Sequence, residues 1–428
     1  MAQQGVLRRV GVLRPLRIRD FALLWTGLSI SLLGDGIYFV AIAWQVYELS
    51  NVPTALSVVG LAWAVPAVVF LLVGGVISDR FERRKVLIVS DVVRGGAVAA
   101  IGVLSLAGAL ELWHVIALVA LWGIGESLFG PAFGALVPDI VPQHLIVQAN
   151  SLDMVMRPLG AQLLGPALGG LAVDSIGLGA AFLLDAASFG VSALCLLAIS
   201  RRPVERDPAK PPSAVAEIAE GFRFVRSQTW LWGTLAAAAV FLLVFYGPWE
   251  VLVPYVVKND LDGDAGDVGL VYASAGFGAV VAALAMGQRS LPRRHITVMY
   301  ASWTLGALVL AAYGLAADVW QAMVAGVFRG AGMTCGLIIW MSLMQTRVPR
   351  HLLGRVTSVD WFISIGLVPV SFALTGPVAA AVGAQETLIG AGVLGAAVTA
   401  AFYFLPGIRE TERAAERSSA EGITATDT

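Results

Sequence analysis

The sequence predicts an all-α membrane protein of twelve spanning helices, built as two six-helix repeats with both termini cytoplasmic. Three observations predict it. Of the 428 residues, 58% are apolar and only 13% charged, whereas soluble domains run nearer half apolar and a quarter charged. The apolar residues gather into twelve runs long enough to cross a bilayer. The second half also repeats the first, down to polar residues in its loops.

A helix needs about 20 apolar residues to span the hydrocarbon core. In the first half such runs lie near 21–47, 54–78, 86–109, 113–137, 148–173 and 178–199. A second set lies near 230–256, 268–288, 296–316, 320–345, 356–381 and 387–406. The N-terminus is basic, with Arg8, Arg9, Arg14, Arg17 and Arg19. The apolar run after it is too long for a signal peptide and lacks a small-x-small cleavage site. It therefore reads as an interfacial basic segment leading into the first span.

Charge in the turns sets the orientation. One set of turns holds Arg80, Arg83, Arg84 and Lys85, then Arg201, Arg202 and Arg206, then Arg289, Arg293 and Arg294, then Arg347, Arg350 and Arg355. The opposite set holds one lysine, Lys258, among acids such as Glu48, Glu111, Asp174, Asp264, Asp318 and Glu386. The basic side is assigned to the cytoplasm.

Shifting the chain by 207 residues lays 111–153 on 318–360 without a gap. Glu111-Leu112-Trp113 falls on Asp318-Val319-Trp320, and Val141-Pro142 with His144-Leu145 falls on Val348-Pro349 with His351-Leu352. Parallel repeats of this kind place a binding site near the midplane, between the halves. The expected divisions are an N-terminal half (1–200), a proline-bearing cytoplasmic linker (201–228), a C-terminal half (229–408) and a cytoplasmic tail (409–428). The linker reads as a solvated connector.

Several function classes drop out. Net charge is −1, so there is no bulk basic signal for nucleic acid. Cys195 and Cys335 both sit in apolar runs, where they are small packing residues rather than a disulfide or metal pair. His114, His144, His295 and His351 form no ligand spacing, so no metal is expected. No Gly-Lys-Ser/Thr occurs for an ATP-driven pump. No cluster of nucleophiles suggests an enzyme, and no cofactor is called for. Several tryptophans fall at span ends, as an interfacial belt requires.

Ionisable residues inside spans cost several kcal/mol unless used or paired, roughly 2.5–3.5 at a helix centre by insertion scales. Asp35 lies mid-span in the first run between Gly34 and Gly36, Glu126 in the fourth, Arg329 in the tenth, and Glu250 near the outer end of the seventh. Each is a candidate for substrate or proton handling, and each could equally be half of a buried pair, Glu126 with Arg329 for example. Under the repeat shift Glu126 falls on Met333 and Arg329 on Trp122, so neither charge belongs to the shared scaffold. Asp185 reads as structural. Asp91–Arg94 and Asp153–Arg157, at helical spacing, read as local ion pairs.

The turn after the second span runs Gly74-Gly75-Val-Ile-Ser-Asp79-Arg80-Phe-Glu82-Arg83-Arg84-Lys85. It resembles the loop signature of the major facilitator superfamily, G-x-x-x-D-R-x-G-R-[RK]. Gly165-Pro166-x-x-Gly169-Gly170 resembles the end of the signature of its proton-coupled exporters. With Gly130-Pro131 and the Val141-Pro142 loop, the chain resembles the drug-efflux branch that includes macrolide exporters and the enterobactin exporter. It departs from the pattern in three places. Glu82 stands for a glycine, Ala161 stands where a glycine is expected four residues before Gly165, and the second-half loop (Gln288, Arg289, Arg293, Arg294) lacks the acid.

The resemblance implies the major facilitator fold, in which helices 1, 4, 7 and 10 line the central cavity. It implies a gating role for the loop motif, namely Gly75, Asp79, Arg80, Arg83 and Arg84, and an antiport-associated helix motif at Gly165, Pro166, Gly169 and Gly170. The expected activity is proton-coupled efflux of a small amphiphilic compound by alternating access. A carboxyl group in apolar surroundings exchanges its proton nearer neutral pH than one in water, and Asp35 is the first choice for that role, with Glu126 its rival. An importer or flippase of the same fold stays open, as does a channel-like or scramblase protein. Expected partners are the small-molecule substrate, protons and membrane lipids, with the chain a monomer in the inner (cytoplasmic) membrane.

Overall fold

The computed structural model describes residues 13–200, 214–288 and 291–413. Twelve helices among them are long and apolar enough to cross a membrane, and they fall on the twelve apolar runs. In chain order they are α1 (Arg19–Leu49), α2 (Pro53–Arg80), α3 (Arg83–Leu106), α4 (Leu112–Ile140), α5 (Gln143–Ile176) and α6 (Leu178–Ala198). Then follow α7 (Thr229–Asn259), α8 (Ala265–Gly287), α9 (His295–Gly314), α10 (Val319–Arg347), α11 (Leu352–Val382) and α12 (Ala384–Tyr403). Several outrun their apolar core at the polar ends, α1 and α4 among them. In lipid every backbone N–H and C=O must be bonded internally, so the helix continues until water can take over.

Prolines set the irregularities. Pro158 opens a π-helical stretch, Pro158–Leu164, inside α5, and Pro248 opens another, Pro248–Leu252, inside α7. In α11 the helix is interrupted at Leu367, two residues before Pro369. A proline lacks the N–H for the regular i−4 bond, and a wider turn is one way to reroute the carbonyls that it frees.

The linker differs from the simple connector expected. Its first part, 201–213, lies outside the described residues, as do most of the tail and the N-terminal arginines Arg8 and Arg9. Its second part is a helix, Ala214–Ser227. The apolar residues Ile218, Phe222 and Val225 recur at helical spacing there, and the prolines upstream mask that pattern.

The chain divides into two compact units, Met1–Arg206 with Val257–Gly276, and Asp207–Val256 with Phe277–Thr428. In the first, α1 packs on α6, α3 on both α6 and α4, and α2 on α4. In the second, α7 packs on α12, and α9 on both α12 and α10. Three of the four pairings recur at a six-helix offset, which is the internal repeat expressed as packing. Large apolar side chains such as Leu171, Leu194, Phe328 and Leu394 are exposed on the outside, which suits lipid. Lipid tails are as apolar as leucine, so helix contacts rest on close packing of small residues. A Cβ on Gly123 of α4 would come within 2.7 Å of the Trp63 carbonyl on α2.

Candidate functional site

In the first unit the site forms around α1. Gly34 and Gly36 flank Asp35, and neighbouring helices occupy the space that they leave. A Cβ on Gly34 would overlap Asp185 and Ser188 of α6, and one on Gly36 would lie 2.6 Å from the Gly165 Cα of α5. Asp35 is thereby fixed between two helices. Its Oδ1 is buried and has no hydrogen-bond partner among the described residues.

Arg94 of α3 is the centre of this cluster. Its Nη2 donates to Asp91 Oδ1 at 2.8 Å and its Nη1 to Glu126 Oε2 at 2.9 Å. The guanidinium lies 4.6 Å from the ring centres of both Phe129 and Phe189. Arg94, Glu126, Asp91 and Arg157 all lie within electrostatic reach of Asp35. The side chains of Arg94 and Asp91 are 2% and 0% exposed, and that of Glu126 is 41% exposed. One buried cation thus serves a buried acid and an open one. Asp185 is fully buried behind Gly34, and its Oδ1 accepts from the Ser188 hydroxyl at 3.2 Å.

Aromatic rings adjoin the acids. Tyr38, a turn beyond Asp35, stacks on Trp122 with centroids 5.3 Å apart, and Phe39 meets Trp122 edge-on at 6.5 Å. Trp122 sits a turn before Glu126 on α4, and its buried indole N–H has no partner among the described residues. Arg94, Tyr38 and Trp122 join the site in the structure although the sequence does not single them out for it. The signal for Arg94 was present, since it is an intramembrane charge in the third run, and its i,i+3 acid explained it away.

The second unit has its own buried cluster. Arg329 of α10 lies flat over Trp249 of α7, 3.4 Å from the ring centre, and 5.5 Å from that of Phe245. Arg329 also acts electrostatically on Glu250, to which the Trp249 side chain hydrogen-bonds. Tyr313 of α9 packs edge-on against Trp249 at 5.3 Å. Arg329 and Glu250 therefore belong to one group, and Glu126 has its ion pair with Arg94.

At the loop motif the surroundings of Gly75 and the side chain of Asp79 lie outside what the structure describes, and Arg80 is exposed. Arg83 pairs with Asp139 at the end of α4 and donates to the Ala135 carbonyl at 3.3 Å. Arg84 donates to the Leu196 and Leu197 carbonyls, both at 2.6 Å, and so satisfies the end of α6. Glu82, in the glycine position, precedes α3 with φ −58°, so the turn asks nothing that only glycine can give. It also takes an ion pair from Lys85 at 3.1 Å.

The glycines of the α5 motif face other backbones. A Cβ on Gly165 would lie 2.7 Å from the Gly36 Cα, one on Gly169 2.9 Å from the Ile37 Cα, and one on Gly170 2.8 Å from the Gly266 Cα at the start of α8. The Gly165 N–H bonds to the Gly160 carbonyl, five residues back. Gly160 itself packs on Leu32 of α1. The glycine looked for at position 161 is thus supplied at 160, through the wide turn.

Comparison with known proteins supports the fold and identifies the family. A profile of the family described as transmembrane secretion effector, within the major facilitator superfamily, matches residues 10–425. The multidrug efflux pump Tap of Mycolicibacterium fortuitum is 30% identical, covering 94% of this chain and 98% of that protein. Macrolide efflux protein A of Streptococcus pyogenes is 23% identical, covering 87% and 93%. Among solved structures, a bacterial homologue of the iron transporter ferroportin superposes with a TM-score of 0.67 at 15% identity, over 91% of this chain and 99% of that one. A bacterial homologue of the lysosomal transporter Spinster gives 0.65 at 16% identity, over 91% and 96%. With twelve spans, a charge-bearing interior and a family profile that runs nearly end to end, the chain is a multi-pass cell-membrane transporter of the transmembrane secretion effector family in the major facilitator superfamily.

Proposed function

We propose that the protein exports a small amphiphilic compound in exchange for protons, by alternating access, with Asp35 as the coupling carboxyl. One observation carries this reading. Among the described residues Arg94 is the fully buried cation near Asp35, its hydrogen bonds go to Asp91 and Glu126, and a buried Asp35 oxygen is left unbonded. Burying a carboxyl oxygen without a hydrogen bond is costly, and a coupling role for Asp35 explains the cost. Asp35 takes the proton when open to an acidic exterior and yields it when open to the cytoplasm. Glu126, partly exposed and beside the Trp122 and Tyr38 rings, gives an amphiphilic cation a charge and an aromatic wall to meet. Proton uptake by the acid cluster weakens that hold at release. The efflux names of two relatives, 30% and 23% identical, support the outward direction. In the same reading the loop motif gates the cycle, since Arg83 and Arg84 tie α3 to the ends of α4 and α6.

The test is transport in vesicles with an imposed pH gradient, using a fluorescent lipophilic cation as probe. Asp35→Asn should abolish gradient-driven export yet retain probe binding and energy-independent exchange. Wild-type export by Asp35→Asn defeats the assignment, and Glu126→Gln becomes the next variant to measure.

A further inference from the structure

The linker helix Ala214–Ser227 helps to form a groove apart from the charged clusters described above. It is fixed to α11 twice. Glu220 pairs with Arg355, and a Cβ on Gly221 would lie 3.0 Å from the Arg355 backbone. Its C-terminal end, the first turns of α7 and Ile363 of α11 enclose a groove of about 570 Å³. Phe222 and Val225 line it from the linker helix, and Trp232, Leu235 and Ala236 line it from α7. Its volume lies in the range of small-molecule sites, roughly 300–1,000 Å³.

The lining is apolar except for one residue, Arg226, at the rim. Arg223 stands one turn away, also exposed, and neither arginine has a carboxylate partner among the described residues. Phe222 is 53% and Trp232 38% exposed. Both aromatics belong where a span meets the membrane surface, and an amphipathic helix there lies in the interface plane. The groove therefore offers an apolar slot on the hydrocarbon side and two uncommitted cations at headgroup level.

We infer that this groove binds an anionic phospholipid, its phosphate held by Arg226 and Arg223 and the upper part of one acyl chain lying between Phe222 and Trp232. A soluble phosphate would use the arginines and leave the apolar walls wet. A zwitterionic lipid would fill the walls and bring a choline cation against two arginines. Only an anionic lipid satisfies both parts. By docking the helix that joins the two halves, such a lipid links the linker's position to membrane composition.

The experiment uses the full chain in a non-ionic detergent with phosphatidylglycerol bearing a photoreactive group high on one acyl chain. Labelled peptides are identified by mass spectrometry. Labelling should fall within residues 222–236 and be displaced by unlabelled phosphatidylglycerol, but not by phosphatidylcholine of the same chains or by glycerol phosphate. Each arginine near the surface is worth about fivefold in affinity, so Arg223→Gln with Arg226→Gln should raise the half-displacing concentration roughly 25-fold. Arg14→Gln, which removes an exposed arginine elsewhere, should leave it unchanged. Equal displacement by phosphatidylcholine would identify an ordinary boundary lipid and overturn the proposal. So would displacement by glycerol phosphate alone, labelling outside this segment, or an unaltered double variant.

Discussion

Arg94 and Glu126 share a 2.9 Å ion pair whose two ends live in different media, one sealed between phenylalanine rings and the other 41% exposed. The pair is therefore asymmetric to mutation. Arg94→Gln strands Asp91, whose side chain is wholly buried, and should cost about 3–5 kcal/mol, the usual penalty for orphaning a buried charge. Glu126→Gln leaves Arg94 on Asp91 and should cost under about 1 kcal/mol. Unfolding midpoints of the purified variants decide the order, and a larger loss for Glu126→Gln would contradict it.

Close approach at Gly36 gives a second expectation. An added methyl there meets the Gly165 backbone at 2.6 Å, and backbone cannot swing aside. Gly36→Ala should destabilise by roughly 1–3 kcal/mol through overpacking. Gly96→Ala, where a Cβ meets nothing within 4 Å, should be neutral or mildly stabilising. Heat-induced aggregation temperatures of the two proteins provide the comparison.

The tip of α7 is fastened to the end of α1. Lys258 donates to Glu48 at 2.6 Å while lying 4.5 Å from the Trp44 ring centre, and Asn51 and Asn259 exchange side-chain bonds at 2.5 and 3.1 Å. In the alternating-access cycle proposed above, this fastening would part once per turnover. Asn51→Cys with Asn259→Cys should let a short thiol cross-linker arrest export, and a reducible linker should let activity return on reduction. Full export by the cross-linked protein would make the contact a fixed brace.

The charge pattern of the turns carries the topology. A cysteine placed at Asp264 should react with an impermeant maleimide in intact cells, and one at Pro208 only after permeabilisation. Labelling of both from the same side would refute cytoplasmic termini.

The spans were legible because the bilayer imposes one length and one composition on every helix. The linker helix was not, since a short amphipathic segment after four prolines carries no such constraint. In the site, Asp35, Glu126, Glu250 and Arg329 stood out because charge inside an apolar run is rare. Their pairing was illegible. Arg94 reaches Glu126 from 32 residues away along the chain, and helical spacing exposes only the nearer acid, Asp91. The Arg329–Trp249 stack joins α10 to α7, a contact that no local pattern encodes.

The wide turn in α5 also bears on how such chains are compared. Gly160 and Gly165 are five apart, yet both lie against α1, because the Gly165 N–H reaches back five residues instead of four. In effect the helix has accepted a one-residue insertion and swallowed it within a single loop of its spiral. Without the wide turn, each extra residue rotates everything after it by about 100°, and Gly165, Gly169 and Gly170 would point away from their neighbours. A gap-free alignment of α5 against an uninterrupted helix would score Ala161 as a lost glycine. Counted by hydrogen bonds instead of by letters, nothing has been lost.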